Sequence, residues 1–495
     1  MAHALSLVAR YGSDPWPNDG HPLPDEPQRK NGEFVFPSVV YDGVGTHHRP
    51  VGGDSAAELA DLFLAHLDDP APLLDFGSGL RAVDVADDLV RELRWRDFSA
   101  EKLHGAARFV VEHATRREVA KLGIVVLGVC GDDRDRELLQ LIGRLDEFSL
   151  FAVVALMNTQ SDRQRAVFEL ARHLSGWGRI HAVERLARCV DPEIRAWLLR
   201  GGFRNGVMDE YLAHLAATTG GLYEALLQDE IDDALLDGAA GILSALASGG
   251  PAEDMRDYDD AVPAMHRFAE LLESAEGTIG RLDAALVLRQ FAHEKCFDWP
   301  DGEPERLRAR YAALLDRPRW RELVENTLES EPGTGTRYLI DNALSCASRL
   351  GMDVLPNAMV HLRIDSLDAY RWQWAMKNAG ADRIEQVVRA AGELLPLAEV
   401  TVGPSNVVGI GPEYAADACL ECVVYGLEDH PGLGSDILRQ ALRGRGIRCR
   451  RSAVRVLAAW PGQTWPPSAR DWIAAAVGCE PDAGLCREMT ELLAG

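Results

Sequence analysis

Lysine is scarce in this chain of 495 residues: it occurs at Lys30, Lys102, Lys121, Lys295 and Lys377, and arginine supplies the other 47 of the 52 basic residues. Against 77 acidic residues, this leaves a formal net charge of −25. A surface that binds polyanions needs a positive field to displace counterions, so general nucleic-acid binding and adhesion to anionic membranes are disfavoured. Aromatic residues make up only 7% of the chain. Long apolar runs are missing; the longest, such as Ile124 to Leu127, fall far short of a membrane span. Met1 to Arg10 lacks a basic segment followed by a long apolar stretch, so no signal peptide is expected. The nine cysteines are odd in number and follow no framework spacing, which fits reduced thiols in a cytoplasmic protein.

What is abundant is Ala and Leu, strong helix formers that let helices approach closely. At 47% hydrophobic and 26% charged the composition is that of a folded chain, and 495 residues exceed what one compact core holds. From Ser55 onward, amphipathic segments alternate with Gly, Asp, Pro or Asn, as in Ala56 to Leu67, Val83 to Trp95, Glu101 to Thr115, Glu118 to Val129 and Arg163 to Leu174. Apolar residues recur at helical spacing, so each predicted helix carries one apolar stripe that only neighbouring helices can cover. Pro251 to Asp260, Trp299 to Pro304 and Val400 to Pro412 read as breaks, the last as a surface loop.

Residues 1–53 differ. Asp14-Pro-Trp-Pro-Asn-Asp-Gly-His-Pro-Leu-Pro is too rich in proline and glycine for a helix, and Glu33 to Tyr41 reads as β-like. The segment is expected to be an irregular, extended N-terminal arm, either wrapped on the first helices or mobile, with Trp16 and Phe36 favouring wrapping. Residues 54–275 and 276–495 are expected to form two successive stretches of one helical array.

Asp132, Ser161 and Asp191 lie 29 and 30 residues apart, each at a predicted helix start and each followed four residues later by Arg136, Arg165 or Arg195 and then by apolar pairs. The Asp or Ser fits an N-cap, and the arginine fits a contact to a carboxylate or a helix C-terminus in the adjacent repeat. This pattern resembles HEAT repeats, although those run nearer ~40 residues. Ile447 to Trp460 looks like another helix of the same kind. The implied fold is an all-α solenoid of antiparallel helix pairs; an irregular helical bundle is the alternative. Separately, His181-Ala-Val-Glu-Arg-Leu-Ala, Pro192-Glu-Ile-Arg-Ala-Trp-Leu-Leu-Arg-Gly-Gly, Met208-Asp-Glu-Tyr-Leu-Ala and the stretch through Gly249-Gly-Pro-Ala-Glu-Asp254 are similar to bacterial chains labelled limonene hydroxylase. That resemblance implies oxidation of a monoterpene.

Candidate chemistry is thin. Asp232, Asp233 and Asp237 lie one turn apart, faintly like the aspartate-rich helices of class I terpene cyclases, which hold Mg²⁺ and diphosphate. The second metal motif that chemistry needs is matched only by Asp341-Asn342-Ala-Leu-Ser345, which ends in Arg349 instead of glutamate. A solvated acidic helix start explains the same residues. Cys419-Leu-Glu-Cys422 has no second pair at zinc-site spacing, and His293-Glu-Lys-Cys296 and His47-His48 lack partner ligands. Gly238-Ala-Ala-Gly241 falls within a predicted helix, where small residues serve close packing. No cofactor is expected.

Two features stand out. Arg439, Arg443, Arg445, Arg448, Arg450, Arg451 and Arg455 fall within seventeen residues that contain no acid. They form either a docking site for an acidic partner or a ladder of salt bridges between repeats. Tyr370-Arg-Trp372-Gln-Trp374 places its two tryptophans on different helix faces, so at least one is a candidate for an exposed contact; core filling is the other explanation. The sequence therefore points to a non-enzymatic scaffold binding a protein or peptide, with Arg443, Arg445, Arg448, Arg451, Arg455, Trp372 and Trp374 as candidate contacts and oligomeric state left open. An enzyme acting on a terpenoid is the alternative.

Overall fold

The computed structural model describes residues 1–26, 39–43, 56–76, 79–330 and 337–494. Among these residues every regular element is helical and no strand occurs. Among the described residues no helix is long and apolar enough to cross a membrane. The described residues divide into two compact units. The first runs from Met1 to Glu276 and also takes in Val287–Leu314; the second holds Gly277–Leu286 and everything from Leu315 on.

In the first unit, Ala82–Arg94, Arg117–Cys130, Asp146–Thr159 and Gly176–Glu184 pack side by side in one layer, while Ala100–His113, Arg136–Gly143 and Arg163–Ala171 form the layer against them. The second unit repeats the plan. Arg337–Arg349, Ala369–Asn378, Ala415–Tyr425, Ile447–Ala459 and Ala483–Ala494 make one layer, and Pro318–Glu329, Leu355–Ile364, Ile384–Leu394, Ser435–Ala441 and Ala469–Val477 make the other. The fold is the expected α-solenoid of antiparallel helix pairs.

Capping sets where the helices begin. Ser99, Asp132, Asp162, Asp191, Asp232 and Asp368 each accept a hydrogen bond from a backbone N–H of the turn they start. The middle cap is thus Asp162 and not Ser161, whose own N–H instead donates to Asp133 at 2.8 Å. Small residues set how closely helices approach. A Cβ on Gly238 would collide with the Leu199 carbonyl, so the Asp233–Ser248 helix lies directly on the Leu198–Gly202 π-turn because this position has no side chain. The expected breaks at 251–260, 299–304 and 400–412 overlap the loops 249–260, 292–302 and 401–411.

The N-terminal arm departs from the expectation. Ala2–Tyr11 is an α-helix and residues 39–43 are helical, so the arm is not extended throughout and Val39 to Tyr41 do not form a β-like run. The earlier part of that run and Phe36 lie outside the described residues, as do His47 and His48. The described arm is wrapped. Trp16 is buried with the Arg144 guanidinium 4.2 Å from its ring centre, and Arg144 also donates to the carbonyls of Gly12 and Asp14.

A buried charge cluster fixes the arm to the array. Lys121 is fully buried in the Arg117–Cys130 helix, with Nζ 2.6 Å from Glu147, 2.8 Å from Asp42 and 3.0 Å from Glu118. Arg81 also reaches Asp42, and Arg117 bridges Asp25, Glu26 and Glu147. Burial alone would lower the lysine's pKa, but Glu147, Asp42 and Glu118 outweigh it and hold the pKa above its usual value. Next door, Asp146 opens its helix where the macrodipole favours a negative charge. Loss of hydration and the nearby Asp19 overcome that, and the carboxyl is pushed up to about 7 despite a hydrogen bond from the Gly178 N–H.

Two outcomes follow. Lys121→Ala leaves Asp42 and Glu147 buried without their cation, and should cost about 3–5 kcal/mol in urea unfolding. A loss under 1 kcal/mol would contradict the clamp. The raised pKa of Asp146 means that the folded state binds an extra proton between about pH 4 and about pH 7, so its contribution to stability falls as pH rises through that window. Asp146→Asn should therefore melt above the wild type at pH 8, by a margin that narrows as pH falls toward 5; a pH-independent margin would refute the assignment.

Candidate functional site

The repeat arginines define the electrostatics of both units. In the first, Arg136 meets Glu169 at 2.8 Å, Arg165 meets Glu193 and Asp191 at 2.7 and 3.0 Å, Arg195 meets Glu224 at 3.3 Å and Arg200 meets Asp232 at 2.7 Å. Each contact spans between 26 and 33 residues of sequence, one repeat, as the motif spacing implied. In the second unit the same step joins Arg337 to Asp368, Arg371 to Asp341 and Arg383 to Asp353.

The arginine-rich stretch is part of this ladder. Arg445 meets Asp417 at 2.8 Å, Arg448 meets Glu421 at 2.9 Å, and Arg450 meets Glu480 at 2.6 Å. Arg451 lies 3.4 Å from Glu488 and 3.5 Å from Asp482, and Arg455 lies 3.3 Å from Glu428 with its guanidinium over the Tyr425 ring. The acids missing from the local sequence come from neighbouring helices and the turns that join them. Arg450 is fully buried and also donates to the carbonyls of Gly444, Arg445 and Ser405, stapling the 401–411 loop to its helix. Arg439 and Arg443 differ: both are exposed, and no acidic side chain pairs with either among the described residues.

The tryptophans are core residues. Trp372 is fully buried with its indole N–H donated to the Ser366 carbonyl at 2.8 Å; Trp374 is 7% exposed and donates to the Leu344 carbonyl at 3.0 Å. The expectation that one of them lines an open surface is overturned, because neighbouring helices cover both faces. Tyr370, at 44% exposure, is the aromatic that reaches solvent.

The acidic run is likewise engaged. Asp232 caps its helix through the Leu235 N–H, and Arg200 holds its carboxyl below the usual range. In the second candidate motif, Asp341 pairs with Arg371, and Arg349 with Asp283. Cys419 and Cys422 lie in the Ala415–Tyr425 helix; burial pushes their thiols up to about 12 and about 11. Among the described residues no three His, Cys, Asp or Glu side chains are grouped to hold a metal ion. The segments that carry the limonene hydroxylase resemblance supply the buried Ile194, Leu198 and Leu199.

The surface that remains available lies in the seams between consecutive helices of one layer. In the first unit a depression of about 390 Å³ crosses Ala82–Arg94, Arg117–Cys130 and Asp146–Thr159, lined by Val83, Val90, Val125, Phe151 and Val154 and bounded by Asp87 and Arg185. In the second unit a depression of about 490 Å³ lies between the 401–404 loop, the Ser435–Ala441 helix with the turn that follows it, and the Ala469–Val477 helix; Arg439 and Arg443 stand on its rim. Sequence reasoning missed Trp472 in this second seam. Only the fold brings residues 401–404 and 472 together.

No family model and no curated protein matches the chain. Among solved structures it is similar to a chain of a homology model of the full-length AP-3 complex in an intermediate open conformation. The identity is 11% over 88% of this chain and 92% of that one, and the TM-score is 0.29. A superposition that loose carries no argument about fold or function.

The ladder separates structural from surface arginines. Arg450→Ala strands a buried Glu480 and frees the loop carbonyls, and should cost about 3–5 kcal/mol in denaturant unfolding. Arg448→Ala, at an exposed pair, should cost no more than about 1 kcal/mol. Equal losses at the two positions would argue against this division.

Proposed function

We propose that the chain is a non-enzymatic, cytoplasmic scaffold that holds a protein or peptide partner on the seams of its helical layers. The observation that carries this reading is an open depression in each unit that crosses successive repeats, the one beside the 401–404 loop being largely apolar. A seam between stacked helices offers an apolar floor for a side chain and charged rims that orient a backbone, the arrangement by which helical-repeat surfaces recognise extended segments. The exposed apolar residues Val154 and Val402 border these seams, where a partner would cover them. The nine thiols, all free of disulfide bonds, support a reducing compartment.

Amine-reactive cross-linkers would report poorly on a chain with five lysines. A photo-reactive amino acid placed at Val154 or at Ala475, in the two seams, is better suited. Irradiation in the native cells should give a discrete adduct at one seam or both. The partner identified from it should then bind the purified chain at equimolar ratio, with Kd of about 1 μM or tighter. Absence of any adduct at both positions would retire the scaffold reading.

A further inference from the structure

The seam in the second unit has a specific chemistry. Its floor is apolar: Leu442 is buried beneath it, Trp472 forms part of the wall, and Val402, 70% exposed, stands at the edge of the adjoining loop. Its rim carries Arg439 and Arg443, four residues apart across the end of the Ser435–Ala441 helix. That spacing is one helical turn, which puts both on one side of the chain, and the negative end of the helix macrodipole favours their charge there.

Neither arginine belongs to the ladder. From Arg445 to Arg455 each arginine named above is matched by a carboxylate on a neighbouring helix or turn, whereas Arg439 and Arg443 line the seam. Asp471 is the acid in the lining, so the charges there sum to +1 in a protein whose net charge is −25. A depression of about 490 Å³ holds one or two large side chains and not a folded domain.

We infer that this seam binds an acidic-apolar peptide segment of a protein partner, with a bulky apolar side chain seated between Leu442 and Trp472 and an adjacent carboxylate held by Arg439 and Arg443. Guanidinium groups suit this task because their forked donors grip a carboxylate in two places and tolerate partial burial better than an ammonium. Asp471, on the opposite rim, disfavours a second acid on that side and so gives the bound segment a direction. The overall negative charge slows the approach of an acidic partner, so binding selects for a segment that places its carboxylate on these two arginines and not merely for negative charge.

The inference rests on the scaffold reading, and the test separates the two. The probes are fluorescein-labelled decapeptides: one with two glutamates followed by Leu-Phe, a twin with lysines for the glutamates, and a third with the glutamates but alanines for Leu-Phe. In anisotropy titrations of the full chain, the first should bind at least about tenfold more tightly than either of the others. The double variant Arg439→Glu/Arg443→Glu should lose about tenfold or more for that peptide, and Trp472→Ala should weaken it while leaving the preference for glutamate over lysine. Because the two arginines are exposed and outside the ladder, the double variant should melt within about 2 °C of the wild type, and circular dichroism checks this.

Equal binding of the glutamate and lysine peptides, or unchanged binding by the double variant, overturns the inference. If the partner cross-linked at Ala475 in the wild type is still captured by the double variant, the seam assignment is wrong and the scaffold reading stands. If no partner is captured by the wild type at either seam, it is the scaffold reading that fails.

Discussion

The structure depends on side chains of one repeat satisfying groups in the next. A single helix here, with one apolar stripe and a few charges, has neither a covered core nor paired ions on its own. Stacking supplies both together. The apolar stripes close against neighbouring helices, and arginines reach carboxylates about thirty residues away, as from Arg165 to Glu193 or from Arg371 to Asp341. The two effects divide the work. Apolar burial favours any stacking of such helices, whereas the arginine–carboxylate steps favour one register, because a shifted helix would leave Arg450 or Arg371 buried without its acid.

The same logic explains the buried cluster around Lys121. Hydrophobic residues in place of the whole cluster could pack at similar cost, so the ion cluster is not a simple source of stability. Its partners come from three separate stretches: Asp42 from the helical turn within the arm, Glu118 from its own helix, and Glu147 from the next helix of the layer. An arm seated anywhere else would leave those charges unmet. With Trp16 under Arg144 and Asp25 on Arg117, the wrapped position of the arm is specified at three points.

The sequence made legible whatever is carried within one helix or at one fixed step. The helix at Arg117–Cys130, the loop at 401–411 and the arginines at 136, 165 and 195 were visible because periodicity, punctuation and spacing are local signals. What depended on the second neighbour was not. Ser161 and Asp162 are both competent caps, and only the backbone decides that Asp162 takes the role while the Ser161 N–H turns to Asp133. Opposed faces on one helix suggested an exposed tryptophan, yet a helix inside a layered array has neighbours on more than one face, which bury both Trp372 and Trp374. The helix at Ala2–Tyr11 was hidden by the proline-rich stretch that follows it.

For the arginine stretch, the fold favours the ladder of salt bridges between repeats over a docking site from Arg445 to Arg455. Seventeen residues without an acid look electropositive, but in a solenoid the relevant neighbourhood of a residue lies one repeat before and one repeat after it. For Arg445 to Arg455 those neighbourhoods hold Asp417, Glu421, Glu428, Glu480 and Asp482, and the patch is neutralised by its own fold. Arg439 and Arg443 stand at the end of a short helix in the other layer, beside the 401–404 loop, which carries no acid, with Asp471 in the same depression but not paired with them. Two arginines outside that pairing, standing together at an apolar depression, are where recognition of another molecule's carboxylate becomes physically favourable.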